Sequence, residues 1–111
     1  MTVVETMEFL QRANRLMSES DRADLVVFLA SNPEAGVIVP ETGGVRKMRW
    51  ALPGMGKRGG ARVIYYYHNQ TVPIFLLSAY AKNQKANLSA ADLKAMKSLV
   101  RSVVASYPRK P

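Results

Sequence analysis

The chain of 111 residues contains no cysteine and a single histidine, and these shortages exclude several classes of site. Without cysteine there is no disulfide, no thiolate ligand for a metal and no cysteine nucleophile. One histidine does not supply the ligands of a typical zinc site, so we expect neither a metal nor a cofactor. We find no signal peptide and no apolar run of membrane-spanning length, and therefore expect a cytoplasmic protein that does not enter a membrane.

Acidic residues are missing from the middle of the chain. Between Glu41 and Asp92 there is no Asp or Glu, whereas eight basic residues occur there: Arg46, Lys47, Arg49, Lys57, Arg58, Arg62, Lys82 and Lys85. The remaining eight Lys and Arg residues balance the eight acids, so the formal net charge of +8 comes from this segment. Crowded like charges destabilise a fold unless an anion binds them, so the distribution favours a polyanionic partner over a solvated basic surface.

The apolar content of 48% predicts a chain that folds, and its length predicts one domain over residues 1–111. Apolar spacing and two Ser-x-x-Asp capping boxes predict helices over 6–17, from Ser18 to Pro33, and after Ser89. Alternating or continuously apolar runs predict strands at 2–5, 45–51, 62–68 and 72–81. We therefore expect an α+β fold: an antiparallel sheet of about four strands, with two N-terminal helices and one C-terminal helix on one face and the other face partly open.

Strand alternation gathers several cations on this sheet. Lys47 and Arg49 lie on one face of their strand, about 7 Å apart, while Met48 and Trp50 lie on the other. A hairpin brings Arg62 to the same region. The next strand is followed by Lys82 and Lys85. Such a convergence predicts a site for the phosphates of RNA or DNA.

The same cations suggest a way to cleave RNA. The 2′-hydroxyl of RNA can attack the adjacent phosphorus if a base accepts its proton and positive charge stabilises the phosphorane. Like-charge repulsion eases loss of a proton from a lysine, so Lys47 or Lys82 is a candidate general base. Arg49 and Arg62 are candidates to hold the non-bridging oxygens. Composition alone favours binding without cleavage, and a cleaving enzyme of this kind is expected to be slow and to need a pre-bent target.

Arg46 and the three consecutive tyrosines of the basic segment could serve either the fold or the binding of RNA. Arg46 faces away from Lys47 and is expected to pair with an acid such as Asp92 or to contact RNA. The three consecutive tyrosines Tyr65–Tyr67 alternate between faces, so at least one is expected in the core, and Tyr66 is our candidate for stacking on a base.

Three segments together resemble one known family. They are NPEAG at 32–36, TGGVRKMRWALPGMGKRGGARVIYYY at 42–67 and PIFLLSAYAKNQKANLS at 73–89. Their combination and spacing resemble the RelE-like toxins of bacterial type II toxin–antitoxin pairs, in the RelE/ParE superfamily, and in particular the HigB-type branch. The resemblance covers nearly the whole chain and implies the RelE/ParE fold. It also implies a toxin that cleaves messenger RNA in the ribosomal decoding site.

The resemblance assigns roles by motif. It gives five RNA-contacting or catalytic positions: Lys47, Arg49, Arg62, Lys82 and Lys85. Of these we take Lys47, Arg49, Arg62 and Lys82 as catalytic candidates and Lys85 as a contact to RNA or the ribosome. Our further candidates for such contacts, from the residues themselves, are Arg46, Tyr66, Lys57 and Arg58, and for Lys57 and Arg58 the antitoxin is an alternative partner. Asn83 stands where the RelE branch has an arginine, and the tyrosine that assists catalysis in that branch has no counterpart between residues 81 and 106. The implied partners are the ribosome with its messenger RNA and a cognate antitoxin, a helix-turn-helix DNA-binding protein encoded beside the toxin.

Two other functions remain open on the sequence. A ParE-like toxin would bind a protein target such as DNA gyrase without catalysis. A plain RNA-binding module would bind with a steep salt dependence and cut nothing. In each toxin reading, an acidic antitoxin segment is expected to cover the basic face or to add to a sheet edge.

Overall fold

The computed structural model describes residues 1–52, 60–82 and 88–106. In chain order its elements are β1 (Val3–Glu5), α1 (Met7–Ala13), α2 (Glu19–Ser31), β2 (Val37–Ile38), β3 (Val45–Trp50), β4 (Ala61–Tyr66), β5 (Ile74–Ala81) and α3 (Ala90–Ser106). This is the α+β class that the sequence predicted, with three helices and a small sheet. Among the described residues, none of the helices has the length and apolar character that crossing a membrane requires.

The sheet has five strands in the order β1-β5-β4-β3-β2. Strands β2 to β5 pair antiparallel, as expected, but β1 runs parallel to β5. The sheet is therefore mixed rather than antiparallel throughout. The additional strand, β2, has two residues and was not predicted because so short a run within a turn-rich segment shows no alternation.

The predicted capping boxes fix where two helices begin. Ser18 Oγ accepts a hydrogen bond from the amide of Asp21 at 3.1 Å, and the Ser18 amide donates to the Asp21 carboxylate at 3.2 Å. Ser89 and Asp92 repeat this exchange at 3.1 and 2.9 Å before α3. Each box satisfies amides that the first helical turn leaves without partners, so these starts follow from local sequence.

Helices cover both faces of the sheet, not one face as expected. Helices α1 and α2 pack on the first face, where the buried residues include Phe9, Leu25, Leu29, Met48, Tyr65 and Leu76. Helix α3 packs on the second face, where the buried residues include Ile64, Phe75, Leu77, Tyr80 and Met96. All eight residues of β5 are buried because this strand is covered on both sides. The apolar side of the amphipathic helix α3 therefore packs on the second face of the sheet, since α1 and α2 cover the first face.

A β-bulge interrupts the pairing of β4 with β5. Ile64 lies opposite Ser78, but the next residue, Tyr65, lies opposite Leu76, so Leu77 is an extra residue in β5. The bulge resets the alternation of β5. As a result Leu77 and Tyr80, three positions apart, both belong to the core beneath α3.

A candidate phosphate site on the second face of the sheet

From Lys47 to Trp50, strand β3 alternates basic and apolar side chains between the two faces, as predicted. Met48 is 9% exposed and belongs to the core beneath α1 and α2, and Trp50 packs against the same core, with its ring centroid 5.4 Å from that of Phe28. Lys47 and Arg49 alternate with these residues and therefore lie on the second face, the one that α3 covers in part.

The cross-strand register brings Arg62 to the same place. Arg49 of β3 lies directly opposite Arg62 of β4. Directly opposite residues have Cβ atoms about 5 Å apart, and diagonal neighbours about 7–8 Å. Lys47 is opposite Ile64 and thus diagonal to Arg62. We call these three residues (Lys47, Arg49 and Arg62) the cation group.

The cation group has no acidic partner among the described residues. Arg49 is exposed, and Lys47 and Arg62 are half-buried. The salt bridges within 1–52, 60–82 and 88–106 join Arg12 to Glu8 at 2.8 Å and Arg22 to Glu5 at 2.9 Å, both far along the chain from these three residues. Like charges directly opposite each other on neighbouring strands are destabilising. An anion such as phosphate would relieve that repulsion.

Of the remaining basic residues predicted for the site, Lys82 is among the described residues and three others are not. Lys82 is exposed and directly follows Ala81, which ends β5 opposite Ala61 of β4. It therefore lies at the end of the sheet where Arg62 and Arg49 lie. The other three predicted contacts lie outside the described residues: Lys57, Arg58 and Lys85.

Gly60 shapes the entry to β4 from the hairpin. Its φ of +111° is a conformation that side-chain-bearing residues rarely adopt, and a Cβ at this position would lie 2.7 Å from the carbonyl oxygen of Trp50. Glycine is therefore required here by the close approach of the Trp50 carbonyl, at the end of the β3–β4 pairing where Arg49 lies opposite Arg62.

Arg46 does not join the cation group. Its Nη1 donates to the carbonyl oxygens of Gly36 at 2.8 Å and Glu34 at 3.3 Å, and its guanidinium carbon lies 5.8 Å from the ring centroid of Tyr67. The predicted ion pair with Asp92 is therefore wrong. Alternation along the strand predicted the face on which Arg46 lies. Its hydrogen-bond acceptors, however, are backbone carbonyls of a turn, and the distribution of charged residues in the sequence does not reveal them.

Tyr66 also lies away from the cation group. It is 7% exposed and belongs to the core beneath α3, with its ring centroid 6.5 Å from that of Phe75. Three residues of β4 separate it from Arg62. In this structure its ring packs into that core rather than standing open for a base to stack on it.

Tyr65 holds the turn that precedes β2. Its hydroxyl donates to the carbonyl oxygen of Pro33 and accepts from the amide of Gly36, both at 2.8 Å. Burial raises the pKa of Tyr65, and the Gly36 hydrogen bond opposes that effect. A Cβ on Gly36 would lie 2.9 Å from the Tyr65 ring and 3.0 Å from the carbonyl oxygen of Lys47. The NPEAG segment is thus packed against the backbone of the cation group, a role that the sequence did not suggest.

Tyr80 is the neighbour of the cation group that sequence reasoning missed. It lies directly opposite Arg62 and is 3% exposed. Burial raises its pKa, the Arg62 guanidinium lowers it and the Asp92 carboxylate raises it. The available signal was the tyrosine of YAKN, but simple alternation along β5 placed it on the other face from Leu77.

Chemically, the site can bind a phosphate through its cations and offers lysine amines for proton transfer. Among the described residues, no group of three or more His, Cys, Asp or Glu side chains is arranged to hold a metal ion. A family model described as "RelE toxin of RelE / RelB toxin-antitoxin system" matches residues 7–109 of the chain.

Proposed function

Because the chain belongs to the RelE toxin family of toxin–antitoxin systems, we propose that this toxin is a ribosome-dependent endoribonuclease that cleaves messenger RNA and stops translation. The observation that carries the proposal is the cross-strand pairing of Arg49 with Arg62, with Lys47 on the diagonal and no salt bridge to a described carboxylate. A fold bears this repulsion at a cost in stability, which is common where a site serves function.

The cation group fits the requirements of RNA cleavage by the substrate's own 2′-hydroxyl. Arg49 and Arg62 hold the two non-bridging oxygens and stabilise the charge that grows on them as the phosphorane forms. Lys47 or Lys82 accepts the proton of the 2′-hydroxyl. The 2′-oxygen bonds to phosphorus and the bond to the 5′-oxygen breaks. That oxygen takes a proton from water, and the lysine later releases the proton it accepted to solvent. The products are a 2′,3′-cyclic phosphate and a 5′-hydroxyl end.

The ribosome supplies what the site lacks. Neither histidine nor glutamate lies in the cation group, so proton transfer falls to the amine of Lys47 or Lys82, and we expect a low intrinsic rate. A messenger bent in the decoding site presents its 2′-oxygen already in line with the phosphorus, which removes much of the entropic barrier. We therefore place the activity on ribosome-bound messenger RNA rather than on free RNA.

The family implies a cognate antitoxin of the RelB type. We propose that it is a helix-turn-helix protein whose acidic segment covers the cation group or adds to the edge strand β2. Val37 and Ile38 form this strand and are 72% and 52% exposed, and Val37 lies opposite Lys47. An extended segment paired there would place its acidic residues beside the cations. The complex should then dissociate more readily as salt rises, measured by the dissociation rate from 0.1 to 1 M NaCl; a salt-independent rate would contradict this docking.

A triple variant tests the ribonuclease function. Lys47→Ala/Arg49→Ala/Arg62→Ala removes the cation group, and Arg15→Ala/Lys94→Ala/Arg101→Ala removes the same charge from three exposed positions elsewhere. Each variant is expressed inducibly, growth is followed, and new messenger 5′ ends are mapped. We expect wild type and the control triple to arrest growth and produce ends at the ribosomal A site, and the site triple to do neither.

The other functions predict different outcomes. Growth arrest by the site triple equal to that of wild type would refute the ribonuclease and favour a toxin that binds a protein target. Salt-dependent RNA binding by wild type without new 5′ ends would favour the plain RNA-binding module.

A further inference from the structure

We propose that Val37 contacts a nucleobase of the bound RNA, so that the base beside the phosphate at the cation group packs against its side chain. This inference rests on the proposed ribonuclease function and adds an apolar contact to the cations of that site. Val37 belongs to the edge strand β2 and is 72% exposed.

The pairing of β2 with β3 places Val37 beside the cation group. Val37 lies directly opposite Lys47, which in turn lies directly opposite Ile64. Directly opposite residues share a face of the sheet and have Cβ atoms about 5 Å apart, so Val37 stands on the second face next to Lys47. The following residue, Ile38, lies opposite Arg46 and points to the first face. Of the two residues of β2, Val37 is therefore the one that adjoins the phosphate site.

The backbone on both sides of Val37 is hydrogen-bonded. Before it, the Gly36 amide donates to the Tyr65 hydroxyl at 2.8 Å. After it, the Val39 amide donates to the carbonyl oxygen of Val45 at 2.8 Å. These bonds hold a strand of only two residues in register with β3. The position of the valine is thus set before any RNA binds, and a preformed contact surface loses little conformational entropy on binding.

The apolar surface of the second face reaches the sheet edge at Val37. Ile64 is fully buried, and Val39 packs against the same core beneath α3. Within residues 1–52, 60–82 and 88–106, the strand residues with large exposed apolar side chains are Val37 and Ile38. A single exposed apolar residue is ordinary on a protein surface, but Val37 adjoins cations that form no salt bridge to a described carboxylate. The exposed valine is therefore available to a ligand that those cations hold.

A single-stranded RNA held by its phosphate has use for such a contact. Each phosphate is joined through its sugar to a base, and a base taken out of its stack turns a large apolar face to water. Proteins cover bases of this kind with aromatic or apolar side chains. The aromatic candidate Tyr66 is packed in the core beneath α3, and Trp50 lies on the first face. We therefore assign the contact to Val37, with a modest preference for purines because their larger face buries more apolar area.

Removal of single bases tests whether one of them packs on Val37. Affinity is measured for ribosomes whose messenger carries 2′-deoxyriboses in the A-site codon, which removes the attacking hydroxyl, with each base of the codon present or removed in turn. We expect Val37→Thr, which replaces a methyl group by a hydroxyl of similar shape, to weaken binding about 3- to 10-fold. Removing one particular base should abolish this difference from wild type, because the side chain and the base then form a coupled pair.

Two further variants serve as controls. Ile38→Thr makes the matching change at the adjacent exposed residue on the first face, and Val37→Ile keeps an apolar side chain at the site. Both should bind within about twofold of wild type, as surface substitutions away from a contact or conservative within it do. A Val37→Thr effect that is absent, or that stays the same whichever base is removed, would overturn the inference. A loss of affinity for the antitoxin alone would assign the exposed valine to protein docking instead. Failure of wild type to bind these ribosomes would overturn both proposals, whereas binding without cleavage of an all-ribose messenger refutes only the ribonuclease.

Methyl NMR of the free protein gives a readout that needs neither the ribosome nor cleavage. The methyl signals of Val37 and Ile38 are followed during titration with a short oligoadenylate RNA and, separately, with inorganic phosphate. We expect the ring current of a packed base to shift the Val37 signals with RNA but not with phosphate, and the Ile38 signals to move much less with either. Val37 signals that do not move with RNA, or that move no more than those of Ile38, would contradict the assigned contact.

Discussion

Replacing Tyr65 by phenylalanine removes one oxygen atom from the buried junction between β4 and the turn before β2. That oxygen makes two hydrogen bonds of 2.8 Å, as donor to Pro33 and acceptor from Gly36, and the tyrosine is 0% exposed. In the variant the Gly36 amide stays buried without its acceptor. An unsatisfied buried group costs about 1–3 kcal/mol of unfolding free energy.

For a domain of this size that loss corresponds to a fall in Tm of about 4–12 °C. Thermal and urea unfolding followed by circular dichroism measure it. Tyr67→Phe is the control, because the Tyr67 hydroxyl makes no hydrogen bond in the described part of the chain and its ring stays beneath Arg46. We expect the control to change the unfolding free energy by less than about 0.5 kcal/mol. A Tyr65→Phe loss as small as that of the control would refute the role given to this hydroxyl.

The difference in unfolding free energy between wild type and Tyr65→Phe should also depend on pH. Burial raises the pKa of Tyr65 above its ordinary value of 10.0, so the folded state holds the phenolic proton more tightly than the unfolded state does. The stabilisation is therefore complete below pH 10 and is lost as pH rises through the raised folded-state pKa. The stability advantage of wild type over Tyr65→Phe should be constant from pH 7 to 9 and shrink above pH 10. An advantage that grows with alkalinity would contradict the assigned cause.

Other substitutions separate stability from activity. Gly60→Ala should lower the free energy of unfolding, measured in urea, by about 1–3 kcal/mol, because Gly60 has a positive φ and an added Cβ would lie 2.7 Å from the Trp50 carbonyl oxygen. The same variant should slow cleavage, because it disturbs the pairing of Arg49 with Arg62. Arg49→Ala should keep or slightly raise Tm, since it relieves repulsion from Arg62, while lowering the cleavage rate; a large fall in Tm would show that the repulsion is already compensated. Arg46→Ala should do the reverse and lower Tm, because two carbonyl acceptors lose their donor, with a smaller effect on cleavage than Arg49→Ala in the same assay.

Arg46 and Arg49 lie on the same strand, but we assign the first a role in stability and propose a role in phosphate binding for the second. The two arginines are three positions apart and have the same charge. Arg46 donates through Nη1 to two backbone carbonyls and lies over an aromatic ring, so its guanidinium is held within the fold, although its Nε is buried without a hydrogen-bond partner among the described residues. Arg49 faces another arginine and is exposed, so its donors are open to solvent and to the phosphate that we propose binds there. Charge alone does not distinguish the two, but their surroundings do.

The sequence by itself determined the features that depend on near neighbours in the chain. The capping boxes at Ser18 and Ser89 start their helices because a side chain and an amide three residues apart can exchange hydrogen bonds in any context. The alternation of β3 separates Lys47 and Arg49 from Met48 because successive side chains on any strand point to opposite faces. The missing carboxylates between Glu41 and Asp92 likewise indicated an anion site before any strand was placed.

Only the tertiary structure decided which distant residues meet. The parallel pairing of β1 with β5 and the position of α3 on the second face depend on how apolar surfaces are shared among all the elements, and no local pattern records that. The pairing of Arg49 with Arg62 was anticipated only roughly, since a shift of one residue would turn Arg62 to the other face. Tyr80 was missed altogether, because a single extra residue in β5 reverses the alternation that sequence reasoning relies on. Local periodicity fixes the face of a side chain within its own element, whereas register and bulges, set by long-range packing, fix its neighbours.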